Sequence, residues 1–420
     1  MPRTFYALVL ALAVSICVAV SSRAADERGV LSGSFTNWLR HPAIAYDGPS
    51  NDPVAELSRA LRDGKASLRR DGTSGYLRSI LEALHVPLES QIVIFNPDSV
   101  QMRRISAQNP RSLFFNDRVA VGWVRGGFIE IAAQDPAQGV VFYTLQQSFI
   151  AEPSFVRKNE ECLTCHYSYS TAGVPGMLSR SRGQFNVTHR VPIDQRWGGW
   201  YVTGNAGANS HLGNIELNRL FSREPSAGAT TWPSLEGKLD LDGYLTPHSD
   251  LVALMVFEHQ MHMMNLFTRI GWEARVADYR RGQSAEQLRA SGDDPADTVV
   301  RLDEAAREVV DYMLFVDEAP LNGPIRGSSK FAEQFAAAGP RDGKGRSLRD
   351  FDLTTRMFRY PLSYTIYSPQ FDALPAAARD AIYKRLWSEL SKNNAVDRTP
   401  IVQILRDTKP GLPASFTTTR

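Results

Sequence analysis

The residues with the clearest chemical potential are two cysteines and a histidine near the middle of the chain. Cys162, Cys165 and His166 form the pattern C-x-x-C-H, the attachment signature of c-type haem. Two thiols three positions apart can add to the two vinyl groups of one porphyrin, and the adjacent imidazole then reaches the iron. The pattern therefore predicts one covalent haem c on Cys162 and Cys165, with His166 as the proximal iron ligand.

Three other kinds of site also contain closely spaced cysteines, and each is less well supported by this sequence. A thioredoxin-like redox pair should follow a buried strand and open a helix, whereas polar residues 158–161 precede this pair. Structural zinc commonly uses two such cysteine pairs, and the sequence holds no second one. A disulfide across so short a loop would remove little chain entropy. Haem attachment is therefore the favoured interpretation.

The iron has a second axial position, for which the sequence offers several candidates. A helical pattern from Ser249 to about Arg269 places His259 near the middle of an apolar arc, where a buried imidazole needs a partner such as iron. His262 lies at the edge of this arc beside Glu258, where coordination and a supporting hydrogen bond are both plausible. Bonds to neighbouring carbonyls or carboxylates are the alternative for both histidines. In order of preference, the distal candidates are His259, His211, His262 and Met177.

The start of the chain predicts export. Arg3, the apolar run 5–20 and the small-residue segment ending at Ala24 resemble a secretory signal, with cleavage expected after Ala24. The run is short for a membrane span, and no second run of spanning length follows. Losing residues 1–24 takes the formal net charge from +2 to 0, which gives no electrostatic reason to expect nucleic-acid binding. We expect a periplasmic or otherwise exported protein without an integral membrane segment in its mature form.

The elements that must position the motif indicate an α+β fold. Arg125-Gly126-Gly127 predicts a tight hairpin, and Ser249 or Asp250 is the expected cap of the helix that continues to about Arg269, where Gly271 should weaken it. Other helices are predicted at 53–68, 76–84, 295–315 and 375–390, and strands at 91–95, 119–124, 128–132, 140–145, 185–191 and 197–203.

The predicted elements divide the chain into successive regions. After the signal at 1–24, we expect an α+β domain at 25–150, a haem-attachment segment with strands at 151–245, and a helical domain at 246–420 that packs on that segment. The N-terminal half then contains the strands, and the C-terminal half is mainly helical. The aromatic residues Trp197, Trp200 and Tyr201 either line the porphyrin or belong to an ordinary core.

Several segments resemble a group of large exported bacterial proteins that carry a single cytochrome-c-type haem site. The resemblance lies in residues 112–124, 162–176, 196–204, 211–214 and 246–250. It implies a covalent haem and export. The pattern differs from small class I cytochromes, because 137 residues precede Cys162 after the signal. The haem is therefore expected inside a larger scaffold.

Two main functions follow from these predictions. One-electron transfer with redox partner proteins in the exported compartment requires no catalytic residues and is favoured. The alternative is a haem oxidoreductase with an open or weakly held distal site. The length of the chain favours this alternative, because an electron carrier needs far less protein around one haem. Its proton-handling groups would come from His189, His211, His248, Glu258 and His262. A haem-based sensor or docking subunit is the third interpretation. A separate metal site from His248, His259 and His262 has only weak support from spacing, and His41 and His85 are interpreted as structural or exposed.

Overall fold

The structure is a computed structural model that describes residues 38–148, 152–181, 186–216, 231–284, 286–287, 295–392 and 398–417. The predicted signal and its cleavage site lie outside these residues, as does Phe185 at the start of the strand predicted at 185–191. The cysteine motif, all eight histidines and the elements around them lie inside them.

An antiparallel sheet forms the centre of the N-terminal half. Its strands are β1 (Ile92–Ile94), β2 (Arg111–Phe115), β3 (Val119–Trp123), β4 (Ile129–Asp135), β5 (Gly139–Leu145), β6 (Phe155–Arg157) and β7 (Trp200–Tyr201). Their order is β6-β5-β4-β3-β2-β1-β7, so the chain meanders from β1 to β6 and returns later to add β7 beside β1. The predicted hairpin joins β3 to β4, where Gly126 adopts a φ of 73° that favours glycine.

The two faces of this sheet pack into two different hydrophobic cores. In β5, Val141 and Tyr143 belong to the core under helices α1 (Pro53–Arg62) and α2 (Leu77–Ala83), whereas Val140 and Phe142 belong to the core that includes α4 (Leu251–Arg281). This alternation is the period-two pattern of a strand that is buried on both faces. The strand residues around Phe142 therefore face the long helix.

Helix α4 is the central element of the C-terminal half. Asp250 caps it, as predicted, by accepting hydrogen bonds from the backbone N–H groups of Val252 and Ala253. The expected weakening at Gly271 is wrong, because the helix continues to Arg281. A Cβ at Gly271 would lie 3.3 Å from the Leu374 side chain, so close packing outweighs helix propensity here.

The remaining helices pack around α4 or connect the elements. They are α3 (Glu160–His166), α5 (Pro295–Met313), α6 (Phe331–Ala337), α7 (Pro369–Asp372), α8 (Ala376–Leu390), α9 (Arg398–Thr408) and α10 (Ala414–Thr417). Helices α5 and α8 pack against α4 and against each other. The predicted α+β class is confirmed. In the part of the chain that the structure describes, no helix is long and apolar enough to cross a membrane.

Several predicted boundaries are corrected. The first helix ends at Arg62 instead of residue 68, and Gly64 follows with a φ of 68°. The strand predicted at 197–203 contracts to β7, because Trp197 and Gly199 adopt positive φ angles that interrupt an extended chain. Residues 186–191 form no strand, and the consecutive residues Val187, Thr188 and His189 are all buried there, without the alternation of a strand. Strands β2 and β6 were not predicted.

Candidate haem site

The two cysteines lie on helix α3, which begins two residues after β6. Positions separated by three residues are neighbours on a helix surface, so both thiols occupy one side of α3. Cys162 is partly buried and lines a cleft, whereas Cys165 is exposed, and both are free thiols. One thiol therefore lies inside the cleft and the other at the surface.

The surroundings of Cys162 differ from those of a redox-active thiol. Burial, with smaller contributions from Glu130 and Glu161, raises the pKa of Cys162 to about 11, whereas a reactive cysteine needs a lowered pKa. A strand does precede the motif, contrary to the sequence-based argument. This strand, β6, is a partly exposed edge strand whose Val156 is 48% exposed, and it is not the buried strand of a thioredoxin-like site.

The chain after α3 turns back on the helix. Ser168 and Thr171 form a capping box, and Ala172 and Gly173 adopt left-handed backbone angles, with φ of 58° and 69°. Tyr167 then pairs with Pro175 in an isolated antiparallel bridge. This tight reversal brings the backbone of Gly176 next to the histidine of the motif.

His166 is held by that returning backbone. Its Nδ1 lies 2.9 Å from the Gly176 carbonyl oxygen, and the Gly176 N–H donates to the His166 carbonyl at 2.9 Å. A carbonyl can only accept, so Nδ1 must carry the hydrogen and Nε2 keeps its lone pair. Burial also lowers the pKa of His166, which favours neutral imidazole. This is the form in which histidine binds a metal ion through Nε2.

A cleft of about 930 Å³, counted with its open mouth, lies between the sheet and α4, with His166 and Cys162 in its wall. The Phe142 ring packs 4.8 Å from the His166 ring, measured between centroids. Apolar side chains from the sheet and α4 form much of the lining, namely Ile94, Leu113, Ala120, Phe142, Trp200 and Phe257.

Two ion pairs complete the lining of the cleft. Arg111 and Glu130 are 2.8 Å apart, and both are mostly shielded from solvent. Arg180 lies 2.7 Å from Asp98. Both guanidinium groups are therefore already paired with carboxylates of the chain. The apolar lining, the Cys162 thiol and His166 bonded through Nδ1 are the features that a c-type haem would use here.

The distal candidate His259 lies in a different place. It is fully buried on α4, where its Nδ1 is 2.9 Å from His189 Nδ1 and its Nε2 is 2.7 Å from the Ser363 hydroxyl. The Tyr312 ring stacks on it at 5.2 Å. Of the eight histidines, all in described segments, only His166 lines the cleft. His259 therefore bonds to protein neighbours, but to an imidazole and a hydroxyl instead of the carbonyls or carboxylates expected as the alternative to iron.

The other candidates are also separated from His166, except for Met177. The Nδ1 of His262 lies 3.2 Å from the Asn186 amide, and His211 accepts a hydrogen bond of 3.0 Å from the Gly213 N–H. Met177 lines the cleft, as does Met261 of α4, which the sequence analysis did not single out. Of the three aromatic residues considered, Trp200 lines the cleft, while Trp197 and Tyr201 lie elsewhere in buried packing.

Glu258 lies beside Arg196 in the core, apart from the cleft lining. It is 3.6 Å from Arg196, and both side chains are almost completely inaccessible. Burial raises the pKa of Glu258 to about 8, against the opposite effect of Arg196. Glu258 and His259 are adjacent on α4, while His189 and Arg196 approach from a second segment, so the structure does gather these polar residues in the core.

The remaining predicted residues do not form a further metal cluster. Within the described ranges, no group of three or more histidine, cysteine or acidic side chains is close enough to hold a metal ion. His248 is partly buried, and its backbone carbonyl accepts a hydrogen bond from Gln91. His85 is exposed, and His41 Nδ1 accepts from the Ala43 N–H, in agreement with their structural interpretation.

Two features of the cleft were missed by the sequence analysis, and only the first had a sequence signal. Leu254, Phe257, Met261 and Met264 are spaced three, four and three residues apart, which is a second apolar stripe on α4. The arginines of the cleft, by contrast, are brought in by the sheet and by the segment after Met177, and no local pattern marks them.

Comparison of the chain with protein-family models, with curated proteins and with solved structures gives no match. The resemblance to exported haem proteins stays a prediction based on sequence motifs.

Proposed function

We propose that this protein is an exported monohaem c-type cytochrome that transfers single electrons between redox partner proteins. Haem c would be bound covalently to Cys162 and Cys165, with His166 as the proximal ligand. The observation that supports this most is the bond between His166 Nδ1 and the Gly176 carbonyl, at a cleft that Cys162 also lines. When bound, the haem supplies a one-electron couple whose potential depends on axial ligands, hydrogen bonds and burial.

For the distal position, the cleft favours a thioether over a second imidazole. Met177 and Met261 line the cleft with His166, whereas His259, His211 and His262 do not. The backbone of Met177 directly follows the carbonyl that holds the proximal ring, so its main chain lies on the proximal side. We therefore place Met261 first and Met177 second as candidates for the sixth ligand.

A haem oxidoreductase is the second candidate function, and one observation favours it. Thioethers are weaker ligands than imidazole, so a cleft without a second histidine leaves the distal position easier to open. The Arg111–Glu130 pair would then be the nearest charged groups available to orient a substrate.

The deciding experiment is expression with a cytochrome c maturation system, followed by acid–acetone extraction and visible spectra with and without carbon monoxide. Wild-type protein is expected to keep its haem through extraction, and Cys162→Ala/Cys165→Ala to lose it. Extractable wild-type haem would refute the proposal. A low-spin spectrum that is indifferent to carbon monoxide supports electron transfer, whereas a high-spin iron that binds it supports the oxidoreductase.

The sixth ligand is identified by comparing Met261→Ala with Met177→Ala. If Met261 is the ligand, its removal converts the iron to a form that binds carbon monoxide and abolishes the near-infrared band of methionine ligation, while Met177→Ala keeps that band. The reverse result assigns Met177. An unchanged band in both variants refutes thioether ligation by either residue.

A further inference from the structure

Asn265 is a polar side chain in the middle of α4 that is completely buried. Its Oδ1 accepts a hydrogen bond of 3.1 Å from the Met177 N–H, and its Nδ2 donates one of 2.7 Å to the Met177 carbonyl. Both ends of the amide are therefore used on the backbone of a single residue. This pairing fixes the segment that follows Gly176 against the helix.

The peptide group that Asn265 holds is the one that holds His166. Gly176 supplies the carbonyl of this peptide, which accepts from His166 Nδ1, and Met177 supplies its N–H, which donates to Asn265 Oδ1. Hydrogen bonds in such a chain polarise one another, so donation at the N–H end makes the carbonyl a better acceptor. Asn265 is thus coupled to the imidazole through one peptide bond.

The absence of a side chain at Gly176 permits this close approach. A Cβ at Gly176 would lie 2.2 Å from Asn265 Oδ1 and 3.1 Å from the Thr171 side chain. Any larger residue would separate the peptide from α4. The Asn265 amide and the missing side chain at Gly176 therefore together place the Gly176 carbonyl within hydrogen-bond distance of His166 Nδ1.

We propose that Asn265 is a positioning residue that sets the reduction potential of the haem through the Gly176–Met177 peptide. The inference rests on the proposed function, because it assumes that His166 ligates the iron. A stronger acceptor at Nδ1–H makes the imidazole a better donor to iron, which stabilises Fe(III) and lowers the potential. Loss of the Asn265 bond should therefore raise the potential.

The test is a redox titration of holoprotein carrying Asn265→Ala. The Fe(III)/Fe(II) ratio at a fixed applied potential is expected to fall by about two- to tenfold, where tenfold corresponds to about 59 mV for one electron. The His166 Nδ1–H proton resonance of the reduced protein should move upfield as its hydrogen bond weakens. Both measurements report on the imidazole and not on folding stability.

The chain offers a matched control in Asn214. Its side chain accepts from the Val202 N–H at 2.8 Å and donates to the Val202 carbonyl at 2.9 Å, which is the same arrangement on a different backbone. Asn214 has a φ of 63°, so glycine is the suitable replacement. Asn214→Gly should lower the free energy of unfolding. It should change the Fe(III)/Fe(II) ratio at a fixed applied potential by less than twofold.

Asn265→Asp keeps the shape of the side chain and weakens its acceptor. Its second oxygen faces the Met177 carbonyl, where only a donor fits, so the buried carboxyl holds a proton, donates to that carbonyl and accepts from the Met177 N–H with an oxygen that is a weaker acceptor than that of an amide. The potential should therefore lie above that of the wild type and below that of Asn265→Ala, and if the Ala variant does not fold, the upward shift in Asp decides alone. Equal shifts in Ala, Asp and Asn214→Gly, or an unmoved potential in haem-loaded variants, would overturn the inference while the proposed function stands. Wild-type protein without covalent haem would overturn both.

Discussion

The segment around His166 and the buried cluster of His189, His259 and His262 use the same side chain in opposite ways. His166 is partly buried at the edge of a cleft, and one of its ring nitrogens is bonded to a backbone carbonyl. His259 has no exposure, and both of its nitrogens are bonded to side chains. Burial alone therefore does not select a ligand. A histidine is available to a metal when one nitrogen is fixed by an acceptor and the other borders open space.

The same comparison applies to electrostatics. Burial lowers the pKa of His166 and also lowers the pKa values of His259 and His262, each of the latter to about 3. All three are therefore neutral at neutral pH. Charge therefore does not separate these histidines. They differ in their hydrogen bonds and in their surroundings, which are the cleft for His166 and packed side chains such as Tyr312 for the cluster.

The largest expected effect is that of replacing His166, and it distinguishes the His166 segment from the buried histidine cluster. His166→Ala should abolish the low-spin spectrum of the holoprotein, because the thioether bonds keep the haem but the proximal nitrogen is lost. Added imidazole should restore low-spin iron by occupying the vacated space. Visible spectra with and without imidazole check this. A low-spin spectrum that survives in His166→Ala without imidazole would show that another residue supplies the proximal ligand.

His259→Leu should have the converse result. The visible spectrum is expected to stay unchanged, while the free energy of unfolding falls by about 1–3 kcal/mol because His189 and Ser363 lose their partner in a buried site. Urea unfolding of the holoprotein measures the loss. Met263→Leu is the control, since Met263 is fully buried on α4 and a swap of similar volume should cost less than about 1.5 kcal/mol. Loss of low-spin iron in His259→Leu would restore the sequence-based assignment of His259 as the distal ligand.

Features that depend on neighbouring residues could be predicted from the sequence. The haem motif is contiguous, Asp250 precedes its helix directly, and the glycines of the β3–β4 hairpin lie between two recognisable strands. The α+β class, the helix cap and the hairpin could therefore be derived from local pattern, whereas the haem role of Cys162, Cys165 and His166 stays a prediction.

Features that depend on how many sides of an element are buried could not be predicted from the sequence. The distal prediction assumed that α4 buries one arc, which made His259 its natural centre. In the structure, residues 251–274 are buried apart from the partly exposed His262, so a helix face that looks secondary in the sequence carries Phe257 and Met261 into the cleft. Asn265 gave no signal either, because its partner is backbone, and backbone contacts leave no residue pattern.

The smallest expected effect, counted per pH unit, concerns the pH dependence of stability. Stability should have a maximum at about pH 6.5. His259 and His262 stay neutral in the folded state down to about pH 3, whereas in the unfolded chain they gain protons below about 6.5, so stability falls as the pH falls. Glu258 has the opposite sign, since burial raises its pKa to about 8 and its folded form holds a proton that the unfolded chain releases. This contribution of Glu258 is lost as the pH rises from about 4.5 to about 8, and below about 6.5 the two histidines outweigh it. Net stability should therefore also fall as the pH rises from about 6.5 to 8.

Each of these groups contributes at most about 1.4 kcal/mol per pH unit. Urea titrations of the holoprotein across pH 4–9 would measure both limbs. His259→Leu should flatten the acid limb only, because it removes a group that is kept neutral. Glu258→Gln should remove the alkaline limb and steepen the acid limb between about pH 4.5 and 6.5, because Glu258 is kept protonated across that whole range. A wild-type profile that stays level between pH 6.5 and 8 would mean that Glu258 is already ionised beside Arg196. The cluster would then hold a buried ion pair, and its contrast with the His166 segment would be one of charge as well as of packing.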